Sequence, residues 1–595
     1  MGLFSRGRDN LPEAQRQAGR LRERFRQSGP TKDIVDESWR QMLLCADELM
    51  GGDERFARLL LDTAHTSFVL HAETGQWLVA VASALQFGVA VASIEVQSAR
   101  DDTPFPEQLW PAVQDMTDLA VEVAHRARVP LAGCLIAESL TTRRFTDRMY
   151  QRELSAILGE DDVLRRLRAI VASQREQLAA AREPLPEAPD SAAALRAHMD
   201  DLLLHDLDAA VAGGAGRSLF AGTTAVPAVL AASTTGRSVV FVAPGLGQGA
   251  AFRLEGPETG RDLCESVQLP RLGRAAVREQ ARRVREVLRS DERRTTVRGE
   301  AIDAALKAVS EAVWEPVFDA WPDLRDGRVA LVPLGASASL PLFTAPVDGA
   351  PVCGGTDLTV VPSGRSLMVA GAWPRSPRQD PLVAADPWYA DGAGAVPIPC
   401  TVAEARAVAA VHGVAPHILR EAAVAPGGGA GAFDRLRTID RPPAADEAAG
   451  ADDLVRRISA ANLIHLAGHG HLDGDDPLRS ALLLGRPLPL SALLDHDLRR
   501  GTTIVLSACH LADVGTAQTS EQLGFPGAML AMGASSVIAA LWPVPDSSDT
   551  VTLMTYLHEE LRTATPSAAL GHAVTRAAAD GMRAAVWAPF VHFGA

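Results

Sequence analysis

Cysteine is scarce in this sequence, and the patterns that would make it structural are missing. The 595 residues include six cysteines and no CxxC pair, which argues against a disulfide framework and against a zinc site. So few cysteines suit a reducing compartment in which a catalytic thiol can stay free. We therefore expect a cytoplasmic protein, in which Cys45, Cys134 and Cys264 fill apolar surroundings.

Excess positive charge and membrane segments are also lacking. The net charge of −15 argues against a general nucleic-acid binder. No hydrophobic signal region follows the charged residues 1–10. The longest uncharged stretch, Trp77–Ile94, is about as long as the shortest membrane spans, and Gln86 and Gly88 within it favour a buried helix. We expect neither nucleic acid nor a membrane as a partner.

The first third of the chain is predicted to be helical. Residues 10–182 have helical texture, a proline-rich segment at 184–189 ends this region, and a short helix is predicted at 191–212. Short apolar strands begin at Ser238. The glycines of residues 244–249 are followed by strand-like sequence, so a hairpin turn is favoured over a dinucleotide-binding loop.

The end of the chain alternates between apolar strands and helices. A Gly-, Ala- and Pro-rich segment at 423–451 precedes it and is predicted to be a flexible loop or linker. Strands are predicted at 462–467, 502–508 and 535–542, and helices at 491–499, 521–532 and 549–563. This alternation predicts a parallel α/β sheet.

Two of these strands stop at a reactive side chain. His469 follows the strand at 462–467, and Cys509 follows the strand at 502–508. Functional groups gather beyond the carboxyl ends of parallel strands, so we expect the imidazole and the thiol to lie together. Such a pair suits a cysteine nucleophile with a proton-transfer partner. The alternative is that Cys509 is a buried strand residue and His469 an ordinary loop residue.

Cys509 would then attack a carbonyl carbon, and His469 would protonate the leaving group and activate water. The backbone N–H groups of Gly470 and Cys509 are candidate donors to the oxyanion. His465 lies inside its strand and is predicted to be a packed, hydrogen-bonded residue. His510 is disfavoured as the partner because adjacent residues of an extended segment point in opposite directions.

A metal-dependent alternative uses the same segment. His469, His471 and Asp473 resemble the HxHxD pattern of metallo-hydrolases, in which zinc activates water. The histidine that usually follows is replaced by Gly474. The favoured interpretation requires neither a metal nor a cofactor.

Several segments together resemble the CHAT domain, which belongs to the caspase–separase group of cysteine peptidases. The matching segments are His-Leu-Ala-Gly-His-Gly at 465–470, Leu-Ser-Ala-Cys at 506–509, the run from Ala531 to Asp546, Trp-Ala-Pro-Phe at 587–590, Val329–Pro333 with Leu340–Phe343, and Val361–Leu367. They occur in the family order and place the resemblance over residues 225–595.

The resemblance implies that His469 and Cys509 are catalytic and that the Gly470 and Cys509 amides form the oxyanion hole. It also implies that an acidic residue after the Leu-Trp strand, here Asp546 with Asp549 as the alternative, binds a basic substrate side chain. A helix N-terminal cap is an equal alternative for Asp546.

The resemblance further implies a fold and a set of domains. We expect an α/β caspase-like C-terminal region, with a degenerate front half and an active half, preceded by an all-α domain. The expected divisions are a helical regulatory or sensor domain at 1–212, a front half at 225–422, a linker at 423–451 and a catalytic half at 452–595.

The resulting hypothesis is a cytoplasmic cysteine endopeptidase that cleaves protein substrates. We expect a regulatory protein partner to act through the helical half, and the loop Leu511–Ser520 to order on activation. A role in bacterial defence or cell death is implied by the resemblance alone. The alternatives are a non-catalytic CHAT-like scaffold and a metal-dependent hydrolase.

Overall fold

The structure is a computed structural model that describes most of the chain. The described residues are 11–50, 53–100, 106–140, 231–232, 234–256, 264–289, 295–373, 375, 380–387, 398–419, 446–471, 473, 479–484, 486–494, 496–509, 511 and 524–595.

The N-terminal part of the described chain is helical. Helices α1 to α6 span Leu11–Ser28, Lys32–Met50, Ala57–Glu73, Trp77–Arg100, Trp110–Arg126 and Pro130–Leu140. No helix in the described ranges combines the length and the apolar character needed to cross a bilayer. The all-α prediction is confirmed for these residues, whereas the predicted helix at 191–212 lies outside the described residues.

An α/β region follows. Helices α7 to α17 span Arg274–Arg289, Thr295–Val309, Glu315–Ala320, Gly364–Ala372, Cys400–His412, Asp446–Ala460, Leu490–Leu493, Phe525–Ala531, Ser548–Glu560, Pro566–Ala579 and Ala584–Trp587. Strands β1 to β16 span Ser238–Ala243, Gly249–Leu254, Cys264–Leu269, Arg328–Pro333, Pro346–Val347, Ala350–Pro351, Asp357–Val360, Pro381–Ala385, His417–Ile418, Leu463–Ala467, His469–His471, Ala481–Leu484, Arg486–Pro489, Thr502–Ser507, Ala534–Ala540 and Phe590–Gly594. The predicted fold class, α/β preceded by all-α, is confirmed.

The described strands include one large sheet built from two blocks of opposite direction. Its order is β3-β2-β1-β4-β7-β16-β15-β14-β10-β8-β9. Strands β1, β4, β7 and β16 run parallel and form what we call the front block. Strands β15, β14, β10, β8 and β9 also run parallel and form the back block. Because β15 and β16 pair antiparallel, the carboxyl ends of the two blocks lie at opposite edges of the sheet.

The helical region and the front block share one apolar core. Along β1, Val239 and Phe241 belong to a cluster formed with α2 to α6, whereas Val240 and Val242 belong to a second cluster on the other face. Successive side chains of a strand point to opposite faces, so β1 is apolar throughout. The N-terminal helices therefore supply the cover for one face of the front block.

The structure can be compared with the predictions for the glycine-rich turn and for the linker. Strands β1 and β2 pair antiparallel around residues 244–248, which confirms the predicted hairpin. Of the predicted linker at 423–451, residues 423–445 lie outside the described residues. Residues 446–451 belong to α12, so the prediction of a loop is wrong for that part.

The connection between β10 and β14 also differs from the prediction. A helix was expected at 491–499, but the described chain has a small antiparallel sheet, β11-β12-β13, followed by the short helix α13. The short helix α13 ends at Leu493, so the prediction of a helix is wrong for the described residues 496–499. This small sheet matters because β11 begins at His469.

Candidate active site

His469 and Cys509 occupy equivalent positions beyond two paired strands. In the parallel pair of β10 and β14, Ala467 lies opposite Ser507. His469 and Cys509 each follow two residues later, at the same edge of the back block. The chain continues the contact past the strand ends, because the Gly468 N–H donates a hydrogen bond to the Ser507 carbonyl oxygen at 3.2 Å. The structure thus brings together the segments that carry the two predicted site residues.

Gly470 packs directly against the backbone of Cys509. A Cβ atom at position 470 would lie 2.1 Å from the Cys509 carbonyl oxygen and 3.0 Å from Cδ2 of Leu511. Real Cβ atoms do not approach an oxygen so closely, so only glycine fits at this position. We predicted the Gly470 N–H as a candidate oxyanion donor; the structure adds that the Cys509 backbone occupies the space a side chain would need.

The Cys509 thiol lies near Val544 and Asp546, which follow β15. Burial raises its pKa, a hydrogen bond to the backbone of Val544 lowers it, and the negative charge of Asp546 raises it further. The net effect is a raised pKa, so the thiol is the dominant form at neutral pH in this state. Nucleophilic attack would therefore need a base that accepts the thiol proton as the new bond forms.

Asp546, which follows β15, contacts the start of α11. Its Oδ1 accepts a hydrogen bond of 2.9 Å from the backbone N–H of Cys400, the first residue of α11. Partial burial raises the pKa of Asp546 to about 6, hydrogen bonds from Cys400 lower it, and the charge of Glu404 raises it. Asp546 does not cap the helix that follows it, because Ser547 is the N-cap of α15. Asp546 therefore contacts the N-terminus of α11, and its negative charge also raises the pKa of the Cys509 thiol.

A buried chain of side chains runs behind the site, and sequence reasoning missed it. Glu404 Oε1 lies 3.0 Å from Nε2 of His465, and Nδ1 of His465 lies 3.0 Å from Nε2 of His558. Nδ1 of His558 then lies 2.9 Å from Nε2 of His412. The prediction that His465 is packed and hydrogen-bonded is confirmed. Its partners come from α11 and α15, far away in sequence and without a shared motif, so no local signal could have revealed the chain.

The chain has a definite hydrogen-bond direction when its rings are neutral. Burial lowers the pKa of His558, and burial lowers the pKa of His412 to about 4, with nearby positive charge adding to both effects. In the tautomer with the hydrogen on Nε2 of His465, which lies at ion-pair distance from Glu404, Nδ1 of His465 is an acceptor. Each following ring then donates through Nε2 to the ring before it. Glu404 also raises the pKa of Cys400 and of Asp546, so the chain is connected electrostatically to the neighbourhood of the candidate site.

Other predicted residues have separate outcomes. His471 lies in β11 and is exposed, and Asp473 is half-buried with its N–H donating to Ser480 Oγ at 3.0 Å. Across the described ranges, no three or more His, Cys, Asp and Glu side chains are grouped as a metal ion would require. His510 and residues 512–523 of the loop after Cys509 lie outside the described residues.

Comparison with known protein families matches the second half of the chain. The CHAT domain model matches residues 303–595. This part of the chain is a CHAT domain. The match begins inside α8 and contains the whole back block, including His469, Cys509 and Asp546. The wider boundary of 225 expected for the CHAT domain remains a prediction.

Two crystal structures of the Saccharomyces cerevisiae separase–securin complex are similar to the CHAT-domain chain. Both have a TM-score of 0.40, with sequence identities of 10% and 9%. The alignments cover 98% of this chain and 53% of the matched chain, so the chain spans about half the length of those it matches. Comparison with curated protein sequences gives no match.

Proposed function

We propose that this protein is a cysteine endopeptidase in which His469 and Cys509 form the catalytic pair. The observation that carries the proposal is their matched position beyond the paired strands β10 and β14. The packing of Gly470 against Cys509 supports it, because it ties the two segments together at the point where chemistry would occur. Membership of the CHAT family agrees with the same assignment.

In the proposed reaction, His469 accepts the proton of the Cys509 thiol as sulfur attacks the scissile carbonyl carbon. The carbonyl π electrons move to oxygen, and the backbone N–H groups of Gly470 and Cys509 stabilise that oxyanion. Collapse of the intermediate breaks the C–N bond, and His469 returns the proton to the leaving amine. Water, deprotonated by His469, then hydrolyses the thioester and regenerates the thiol.

Asp546 would set the preference for a basic residue at the cleaved bond. Its carboxyl group lies close enough to Cys509 to affect the thiol pKa, which puts it beside the reacting centre. A lysine or arginine side chain that loses water there needs an opposite charge. Since the pKa of Asp546 is raised to about 6, the carboxylate form predominates only above that pH.

The direct experiment is a cleavage profile with a peptide library. Wild type should cleave peptides, preferring lysine or arginine, whereas Cys509→Ala should lose activity by on the order of 10⁴-fold or more. Cys353→Ala is the matched control, because Cys353 is a buried cysteine within the apolar core on one face of the sheet. Activity that survives Cys509→Ala and disappears with a chelator would instead support the metal-dependent hydrolase.

A non-catalytic scaffold is the second candidate, and the raised pKa of Cys509 favours it. A thiol that stays protonated reacts slowly with electrophiles. A scaffold would show no cleavage of any peptide with any partner present, and Cys509→Ala would leave partner binding unchanged.

We also propose that the helical region regulates the site through a protein partner. Glu138 of α6 accepts a hydrogen bond from the backbone N–H of Gly364, the first residue of α10. Helix α10 packs on α14, which begins at Phe525, downstream of Cys509 in the sequence. A shift of α6 would thus be transmitted through α10 to α14.

Glu138→Gln in the full chain tests this path better than removal of residues 1–212, because the helices cover one face of the front block. We expect altered basal activity or altered response to the partner, with little change for the exposed control Glu23→Gln. The same activity and partner response in both variants would contradict the proposed path. The proposed setting is a reducing cytoplasm, with a bacterial defence or cell-death pathway as the context.

A further inference from the structure

Two cysteines far apart in sequence face each other where the helical region meets the sheet. Sγ of Cys134 in α6 lies 3.4 Å from Sγ of Cys264, the first residue of β3. Both belong to the apolar cluster that joins the N-terminal helices to the front block. Cys134 is fully buried, whereas Cys264 is only partly buried. We predicted both to be core-filling residues, but two thiols in contact can also be oxidised to each other.

The surrounding structure holds this contact in place. Next to Cys134, a Cβ atom at Gly133 would lie 2.6 Å from the Phe252 ring, so α6 lies as close to β2 as a helix backbone can. On the neighbouring helix, Nδ1 of His125 lies 2.9 Å from Oγ of Ser266 in β3. The approach of the two sulfurs therefore follows from helix–sheet packing and does not depend on two flexible side chains meeting by chance.

We propose that Cys134 and Cys264 form a reversible disulfide when the protein meets a low-molecular-weight disulfide such as oxidised glutathione. A disulfide has an S–S distance of about 2.05 Å, so closing the present contact requires a shift of the order of one ångström, within reach of side-chain rotation. This modification site is independent of the peptidase proposal.

The partial exposure of Cys264 sets the order of the reaction. Its thiolate attacks one sulfur of the oxidant, breaks that S–S bond and releases one small thiol, which takes up the proton that Cys264 lost. The thiolate of Cys134 then attacks Sγ of Cys264 in the mixed disulfide and expels the second small thiol with the second proton. Burial raises the pKa of Cys134 well above its ordinary value, so Cys134 should not react with the oxidant first.

The bond would tie the helical region to the sheet covalently. It would close a loop between residues 130 positions apart, which restricts the unfolded chain. Helix α6 also carries Glu138, which contacts the start of α10. If the peptidase proposal holds, oxidation would fix α6 and oppose any activation step in which that helix moves.

The test equilibrates the full chain in glutathione buffers of increasing oxidation, alkylates the remaining thiols and maps the peptides without reduction. We expect a peptide that links Cys134 to Cys264 at the oxidising end, lost on treatment with dithiothreitol, together with a higher urea midpoint of unfolding. Cys353→Ser should behave like wild type. Cys264→Ser should give neither the linked peptide nor the shift in midpoint.

Cys134→Ala supplies a second variant that keeps an apolar side chain in the core. In this variant Cys264 should accumulate as a mixed disulfide with glutathione, because the resolving thiol is gone. The proposal is overturned if folded wild type at the oxidising limit keeps both thiols reduced, or if Cys264 carries glutathione while Cys134 stays alkylatable after unfolding. Neither result depends on whether the protein cleaves peptides.

Discussion

The two blocks of the sheet have the same parallel architecture and different carboxyl ends. In the front block, β1 and β4 run into Gly245 and Gly335, which helix α5 of the N-terminal region covers. Oε2 of Glu122 accepts a hydrogen bond of 2.7 Å from the Leu246 N–H. In the back block, β10 and β14 run into His469 and Cys509. A parallel sheet offers a crevice at its carboxyl ends, and among the described residues a histidine and a cysteine follow the strands of the back block but not those of the front block.

This difference also limits how the helical region could regulate the site. Since the blocks run in opposite directions, the ends covered by α5 lie at the opposite edge of the sheet from Cys509. The described contacts of α5 therefore do not block the candidate site. Regulation would have to pass through packed elements, and the contact between α10 and α14 offers one such path among the described residues.

The largest difference between the carboxyl ends of the two blocks is expected from glycine substitutions, because one should lower activity and the other stability. Gly470→Ala forces a Cβ into the space of the Cys509 carbonyl oxygen, so we expect peptidase activity to fall by about 10²-fold with the fold retained. Gly335→Ala meets a positive φ of 54° and the Asp118 carboxylate, so it should lower stability and spare activity. Activity assays and thermal unfolding of both variants measure this. Wild-type activity in Gly470→Ala would contradict the proposed role of the close contact between Gly470 and Cys509.

The buried histidine chain should stabilise the back block. His465→Leu removes the polar group that faces the buried Glu404 carboxyl group and the partner of His558, so we expect the free energy of unfolding to fall by about 1–3 kcal/mol. The double variant Glu404→Leu with His465→Leu should recover part of that loss, because both polar partners are then gone. Urea unfolding of the two single variants and the double variant gives the coupling. Additive losses would show that the two side chains do not interact.

The pH dependence of stability tests the role of buried Asp118, which lies at the carboxyl end of the front block. Burial raises its pKa to about 7 from 3.8, while Arg274 lowers it. A carboxyl group whose pKa is higher in the folded state favours folding when protonated, and that contribution is lost as pH rises from about 4 to about 7. The stability of wild type relative to Asp118→Asn should therefore be greater at pH 5 than at pH 8. A pH-independent difference, measured by urea unfolding, would contradict the burial effect.

Asp546 should produce a smaller change at the opposite edge. Its pKa of about 6 implies that the preference for basic over neutral substrates grows as pH rises through that value. Asp546→Asn should remove the pH dependence of this ratio, and it should also ease ionisation of Cys509, since the charge of Asp546 raises the thiol pKa. Comparing kcat/KM for paired peptides between pH 5 and pH 8 measures both effects. The same pH-dependent ratio in the variant would assign the preference to another residue.

Local patterns predicted much of the fold and the site segments. Apolar runs that end at His469 and Cys509 indicated paired parallel strands, and the predicted helix at 549–563 corresponds to α15. The chain from Glu404 to His412 could not be predicted, because it joins separate elements that meet only after folding. The contact of Asp546 with α11 has the same origin: nothing near residue 546 indicates residue 400.

Covalent labelling with a peptidyl electrophile that ends in arginine tests the central claim most directly. We predict a single adduct on Cys509 in wild type, labelling of His469→Ala slower by a large factor, and none of Cys353, with sites assigned by peptide mass spectrometry. Labelling of Cys509 at the same rate with and without the His469 imidazole, or an adduct on another cysteine while Cys509 stays free, would contradict the assigned pair.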